Sequence, residues 1–134
     1  MTRAADVLRT FPAAITLDKD LLVRSIEECL TCAQACTGCA DADLSEKMID
    51  HLRKCIRTCL DCADVCETTA RVLTRQTGYD ANVTRAVVQV CVQVCKSCGD
   101  ECELHAAMHE HCRICAEECR RCEQVCREVL TAIA

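Results

Sequence analysis

A chain of 134 residues can build one domain around a single core, and its formal charge of −5 with a pI near 5.3 removes broad electrostatic attraction to nucleic acid or to an anionic membrane. Hydrophobic residues reach 51%, but 17 of them are cysteine and only Phe11 and Tyr79 are aromatic, so ordinary core formers are scarce. With no Trp, one Pro and three Gly, the composition excludes a β-sandwich or loop-rich fold and predicts an all-α domain whose interior is largely sulfur.

Residues 1–17 read as a short N-terminal helical segment, with Ala4 to Thr10 amphipathic and Pro12 disfavouring helix at Phe11. The segment carries charges throughout and has no apolar h-region, and Arg3 and Arg9 do not form a twin-arginine pair. It is therefore predicted to be neither a secretory signal nor a membrane span, which places the chain in the reducing cytosol. Clustered cysteines there bind metal or do redox work more often than they form disulfide scaffolds.

Residues 18–134 are predicted to form the bundle, with helices at about 18–42, 44–76, 82–104 and 108–132. Asp18 is a natural cap for the first of them, and Gly38 sits inside it at a cost of about 1 kcal/mol. Asp43-Leu44-Ser45-Glu46 resembles a capping box opening the second, with Ser45 as the alternative cap. Gly78 reads as the residue just past its end, and Asp80 or Asn82 can cap the third. No Gly or Pro separates the third from the fourth, so phase has to decide. On continuous helices the cysteine stripes would jump by roughly 120° to 140° at each junction, which demands turns near residue 43 and within Glu103 to Glu110. Four similar helices with short connections predict an up-down-up-down bundle.

Each predicted helix carries one block of cysteines at spacings of three and four. The blocks are Cys29, Cys32, Cys36 and Cys39; Cys55, Cys59, Cys62 and Cys66; Cys91, Cys95, Cys98 and Cys102; and Cys112, Cys115, Cys119, Cys122 and Cys126. Such spacing keeps every sulfur of a block on one helical stripe. Cysteine is also a small buried hydrophobe, but Leu and Ile fill a bundle far better, so packing alone does not explain the choice. Disulfides fit poorly, because bundle axes about 8 to 10 Å apart put most facing Cα pairs beyond reach. Six CxxC pairs suggest dithiol redox chemistry, yet they lie in mid-helix and in series rather than at an exposed helix start. No block has the iron–sulfur order C-x₂-C-x₂-C-x₃-C, and several zinc ions each held by four thiolates would leave a large buried negative charge. Cu(I) is soft and univalent, so one ion per thiolate is neutral overall. The preferred reading is a column of Cu(I) ions stored along the bundle axis, with no catalysis; a redox, iron–sulfur or zinc-binding protein is the alternative.

Antiparallel connectivity brings Met48, His51, His105 and Met108 to one end of the stripe, with His109 and His111 close by. Imidazole and thioether are weaker, exchangeable ligands, which suits a port that admits Cu(I), although histidines in a polar turn also serve as solvated caps. At the other end the stripe continues into Leu21, Leu22, Leu73, Val87, Leu130 and Ile133, and that end is predicted to be sealed. Asp61 and Asp64 lie off the stripe and read as solvated acids. Ile56, Leu60, Ile114 and Val125 also fall away from it, and a homo-oligomer would bury them.

With its four cysteine blocks and the HAAMHEHC segment, the chain resembles the bacterial copper storage proteins over about residues 18–132. The resemblance implies a homotetrameric four-helix bundle that stores many Cu(I) ions, and the missing twin-arginine signal matches the cytosolic branch. By motif match it implies all 17 cysteines as ligands, His105 and His109 at the opening, and Met48 and Met108 beside them.

Overall fold

The computed structural model describes residues 2–133, and every regular element among them is helical. The short helix α1 spans Ala4–Arg9, and four long helices follow: α2 at Lys19–Leu44, α3 at Arg53–Thr74, α4 at Ala81–Glu103 and α5 at Glu110–Ala132. A 3₁₀ turn at Ile49–Leu52 leads into α3. The long helices pack as a closed ring in which α2 neighbours α3 and α5, and α4 neighbours α3 and α5. This is the predicted up-down-up-down bundle.

Local chemistry sets most of the boundaries. Asp18 accepts a hydrogen bond from the Leu21 N–H at 2.9 Å, and Asp80 accepts one from the Asn82 N–H at 2.9 Å, so both expected aspartate caps form. Gly78 adopts φ +63°, a left-handed conformation that glycine takes without penalty. Helix α3 has already ended at Thr74, however, so Gly78 turns the following loop and does not close the helix.

The largest departure from expectation lies at residues 43–52. No capping box forms at Asp43, because α2 runs on through it to Leu44 and draws Asp43 inward, where its side chain is fully buried. The second long helix accordingly begins at Arg53 instead of residue 44. Four residues beyond Cys39, Asp43 shares the face of the thiol stripe, and the helix continues as far as that face has a partner.

All 17 cysteines are free and line the bundle interior, each no more than 2% exposed. Conventional apolar packing is concentrated at the closed end, where Leu22, Leu73, Val88 and Val129 are buried and Ile133 is nearly so. Val88 and Val129 take the inward positions expected of Val87 and Leu130, which are only partly buried. Helix α1 lies against α2, burying Leu8 and Ala4, and the Thr2 hydroxyl donates to Glu27 at 2.8 Å. Val125 is buried and Ile56 packs against the core, whereas Leu60 and Ile114 remain exposed.

Candidate metal centre

Sulfur atoms from all four long helices meet along the axis. Five four-cysteine groups, each with its sulfurs within 4.8 Å of one another, run from the closed end toward the open one: Cys29, Cys91, Cys122 and Cys126; Cys32, Cys66, Cys95 and Cys122; Cys32, Cys36, Cys62 and Cys119; Cys36, Cys98, Cys115 and Cys119; and Cys39, Cys59, Cys102 and Cys115. Successive groups share Cys122, Cys32, Cys36, Cys119 and Cys115, so the groups fuse into one column. Nearest sulfurs stand 3.6 Å apart at Cys59 and Cys102, and 3.9 Å apart at Cys32 and Cys36 within one helix. At a metal–sulfur length of about 2.3 Å, three sulfurs around one ion stand about 4 Å apart. The column therefore presents soft donors at coordination spacing with little rearrangement.

Charge decides what such a column accepts. Contact with Cys115 first, and with Cys119 and Cys32 after it, pushes the Cys36 thiol above its ordinary range, and contact with Cys122 does the same for Cys29. Burial is the main cause at Cys112. Without metal these groups keep their protons, because anions so close together in a dry core repel one another. A cation that binds Cys29, Cys36 or Cys112 must displace the proton of that thiol and neutralise the thiolate it creates.

The open end is polar and layered. His111 Nδ1 lies 3.4 Å from Cys39 Sγ and 3.6 Å from Cys112 Sγ, while its Nε2 is 2.9 Å from Glu46 Oε2. The same Glu46 oxygen is 2.8 Å from His109 Nδ1, and the two imidazole rings stack with centroids 5.5 Å apart. Hydrogen bonding to His111 holds the Glu46 carboxyl below its usual range. On the opposite wall, His105 Nε2 meets Glu101 Oε2 at 2.9 Å. Beneath His111, Asp43 Oδ1 accepts from Cys112 Sγ at 3.6 Å, and burial, reinforced by Cys55, pushes the Asp43 carboxyl up to about 7.

The structure thus brings every predicted cysteine into the column and seats His105, His109 and His111 at its mouth. His111, which the stripe argument sets to one side, is the histidine in contact with sulfur. Met48 and Met108 are 55% and 78% exposed, and His51 is also exposed, so these three stand on the outer rim instead of on the thiol stripe expected of them. The methionines lie in or beside turns, where helical phase no longer fixes direction. Sequence reasoning assigns Asp43 and Glu46 to a capping box and gives Glu101 no role, so none of these three carboxylates is expected at the mouth. Spacing carried a signal for two of them, since Asp43 falls four residues after Cys39 and Glu101 three after Cys98, both on the inward stripe.

Comparison with known proteins agrees with this geometry. The sequence profile described as copper storage protein matches residues 18–131. The copper storage protein of Streptomyces lividans, in a structure loaded with 10 copper equivalents, is 63% identical, with 96% of this chain and 98% of that chain covered and a TM-score of 0.95. A structure of the cytosolic copper storage protein of Streptomyces lividans with five coppers is 67% identical, covering 84% of this chain and 93% of that one at a TM-score of 0.83. A Cu(I)-bound copper storage protein, BsCsp3, is 34% identical, covering 82% of this chain and 95% of that one at a TM-score of 0.70. No curated protein sequence matches the chain.

Proposed function

The chain belongs to the copper storage protein family, and we propose that it holds many Cu(I) ions in the cytosol through its core thiolates, as a store and not as an enzyme. One observation carries this reading: the 17 buried free cysteines form a single continuous column, 15 of them in five overlapping four-sulfur groups and Cys55 and Cys112 in contact with it through Cys102 and Cys39. A catalytic or electron-transfer site needs one tuned centre, whereas this arrangement repeats the same donor set along the axis. Cu(I) suits it because a soft univalent ion matches thiolate and leaves no net charge at one ion per sulfur. Five divalent ions in the five groups, which share sulfurs and hold 15 between them, would leave the column at −5 in a dry interior, a severe cost.

In this reading all 17 cysteines are ligands. His111 receives incoming ions beside Cys39 and Cys112, and His105 and His109 line the opening. Met48, Met108 and His51 form an outer ring of weaker donors that meets copper before the histidines do. Exposed Leu30, Leu60, Val90 and Ile114 support a homo-oligomer, with a tetramer as the assembly, since their burial against other copies removes apolar surface from water.

Anaerobic titration of the fully reduced chain with Cu(I) against a competing chelator tests the proposal. Storage requires tight, colourless uptake of many ions per chain. Uptake of only one or two ions, or copurification of a coloured iron centre, overturns it.

A further inference from the structure

We propose that Cys39, Cys112, His111 and Asp43 form a tetrahedral site for one divalent cation of the zinc class at the mouth of the bundle. The site goes beyond copper storage, because a fourth donor, the Asp43 carboxylate, lets the Cys39, Cys112 and His111 set that receives copper hold a divalent cation before copper arrives. Carboxylate oxygen is a hard ligand that Cu(I) disfavours, yet Asp43 stands inside the thiol column with no solvent exposure. Its Oδ2 has no hydrogen-bond partner among the described residues. A buried, half-orphaned carboxylate costs stability unless something compensates it.

Donor spacing matches a zinc tetrahedron. Bond lengths of about 2.3 Å to sulfur and about 2.0 to 2.2 Å to nitrogen and oxygen give edges of roughly 3.4 to 3.8 Å. The separations here are 3.8 Å for Cys39 Sγ to Cys112 Sγ, 3.4 Å for Cys39 Sγ to His111 Nδ1 and 3.6 Å for Cys112 Sγ to His111 Nδ1. Asp43 Oδ1 lies 3.6 Å from Cys112 Sγ and 3.6 Å from His111 Nδ1. A supporting shell is also in place. Glu46 accepts the proton on His111 Nε2 at 2.9 Å, which leaves the Nδ1 lone pair aimed at the sulfurs, the carboxylate–histidine arrangement that orients imidazole toward zinc.

Charge then separates this site from the column behind it. Two thiolates, one carboxylate and a neutral imidazole around a dication leave −1, half the charge of an isolated four-thiolate site, and they do so at the solvent end. Binding releases the two thiol protons to water, together with that of Asp43 wherever its carboxyl is still protonated. A cation seated here closes the mouth and shields Cys39 and Cys112 from oxidants until copper arrives.

Co(II), which reports tetrahedral geometry through its visible bands, is titrated into the reduced, metal-free full chain under nitrogen. Expected are one Co(II) per chain with tetrahedral d–d and thiolate charge-transfer bands, displacement of the colour by Zn(II), and affinity at least about tenfold weaker in Asp43→Asn. Zinc-edge X-ray absorption of the wild-type chain with one Zn(II) gives a variant-free check, reading two sulfur and two nitrogen or oxygen neighbours. A four-sulfur shell, absence of stoichiometric Co(II) binding, or unchanged affinity in a folded Asp43→Asn overturns the proposal. Cu(I) capacity measured on the same samples tests the storage reading separately, since the deeper four-sulfur groups do not involve Asp43.

Discussion

Glu46 Oε2 lies 2.9 Å from His111 Nε2 and so fixes which nitrogen of that ring faces the sulfur column. In Glu46→Ala the ring loses this anchor, and His109 loses the same partner at 2.8 Å. Outer-shell losses of this kind weaken metal affinity by about 10- to 100-fold. Stopped-flow mixing with a Cu(I) donor should show slower loading of the first ions, with final capacity unchanged. A loss of capacity at unchanged rate would count against a role at the mouth.

Cys36 belongs to two adjacent four-sulfur groups, with Cys32, Cys62 and Cys119 on one side and Cys98, Cys115 and Cys119 on the other. Removing its sulfur in Cys36→Ala interrupts the column in the middle. If neighbouring ions share bridging thiolates, Cu(I) capacity falls by more than a single ion, and the ions that remain bind less tightly. Mass spectrometry of the loaded protein under native conditions reads the count directly. A drop of one ion with no other change would mean that the sites are independent.

Leu22 is completely buried at the closed end, beside the few conventional apolar residues of the core. Leu22→Ala should cost about 2 to 5 kcal/mol in the metal-free chain, the usual range for a buried leucine. Copper binds the folded state through groups that the unfolded chain does not preassemble, so loading raises stability by mass action. The melting temperature of Leu22→Ala should therefore fall sharply without copper and recover most of the difference when loaded. Equal deficits in both states would show that the plug and the column are not coupled.

Much of this is legible in the sequence, and for a physical reason. Spacings of three and four tie cysteine to helical phase, so the stripes, the turns between helices and the sulfur core follow from Cys29 to Cys126. Asp18 and Asp80 were legible as caps because their bonds are local. At Asp43 and Glu46 the sequence pattern misleads for the complementary reason. A local capping pattern lost to long-range partners, since Asp43 meets Cys112 and Glu46 meets His109 and His111, contacts that only the assembled bundle creates. Met48 and Met108 leave the expected stripe because beyond a helix end the period that assigns faces no longer applies.

Glu118 provides a test of pH dependence away from the mouth. It lies 6% exposed on α5, its Oε2 has no partner among the described residues, and Arg121 reaches its other oxygen only at 3.7 Å. Burial first, then the nearby Glu28, pushes its carboxyl from 4.5 up to about 8. Between those values the unfolded chain has released this proton and the folded chain keeps it, so the folded state binds more protons and stability falls as pH rises. The decline runs through the window from about 4.5 to about 8 and levels off above it. Asp43, raised to about 7, adds a decline of the same sign in the lower part of the window. The combined effect is on the order of a few kcal/mol, because each tenfold difference in proton affinity between the folded and unfolded chain is worth about 1.4 kcal/mol. Urea unfolding of the reduced, metal-free chain at about pH 5.5 and about pH 7.5 measures it. Glu118→Gln removes the ionisable group while keeping its shape, so its stability should vary less with pH and exceed that of the parent chain at the higher value. Parallel pH profiles for the two proteins would rule out Glu118 as a source of the decline.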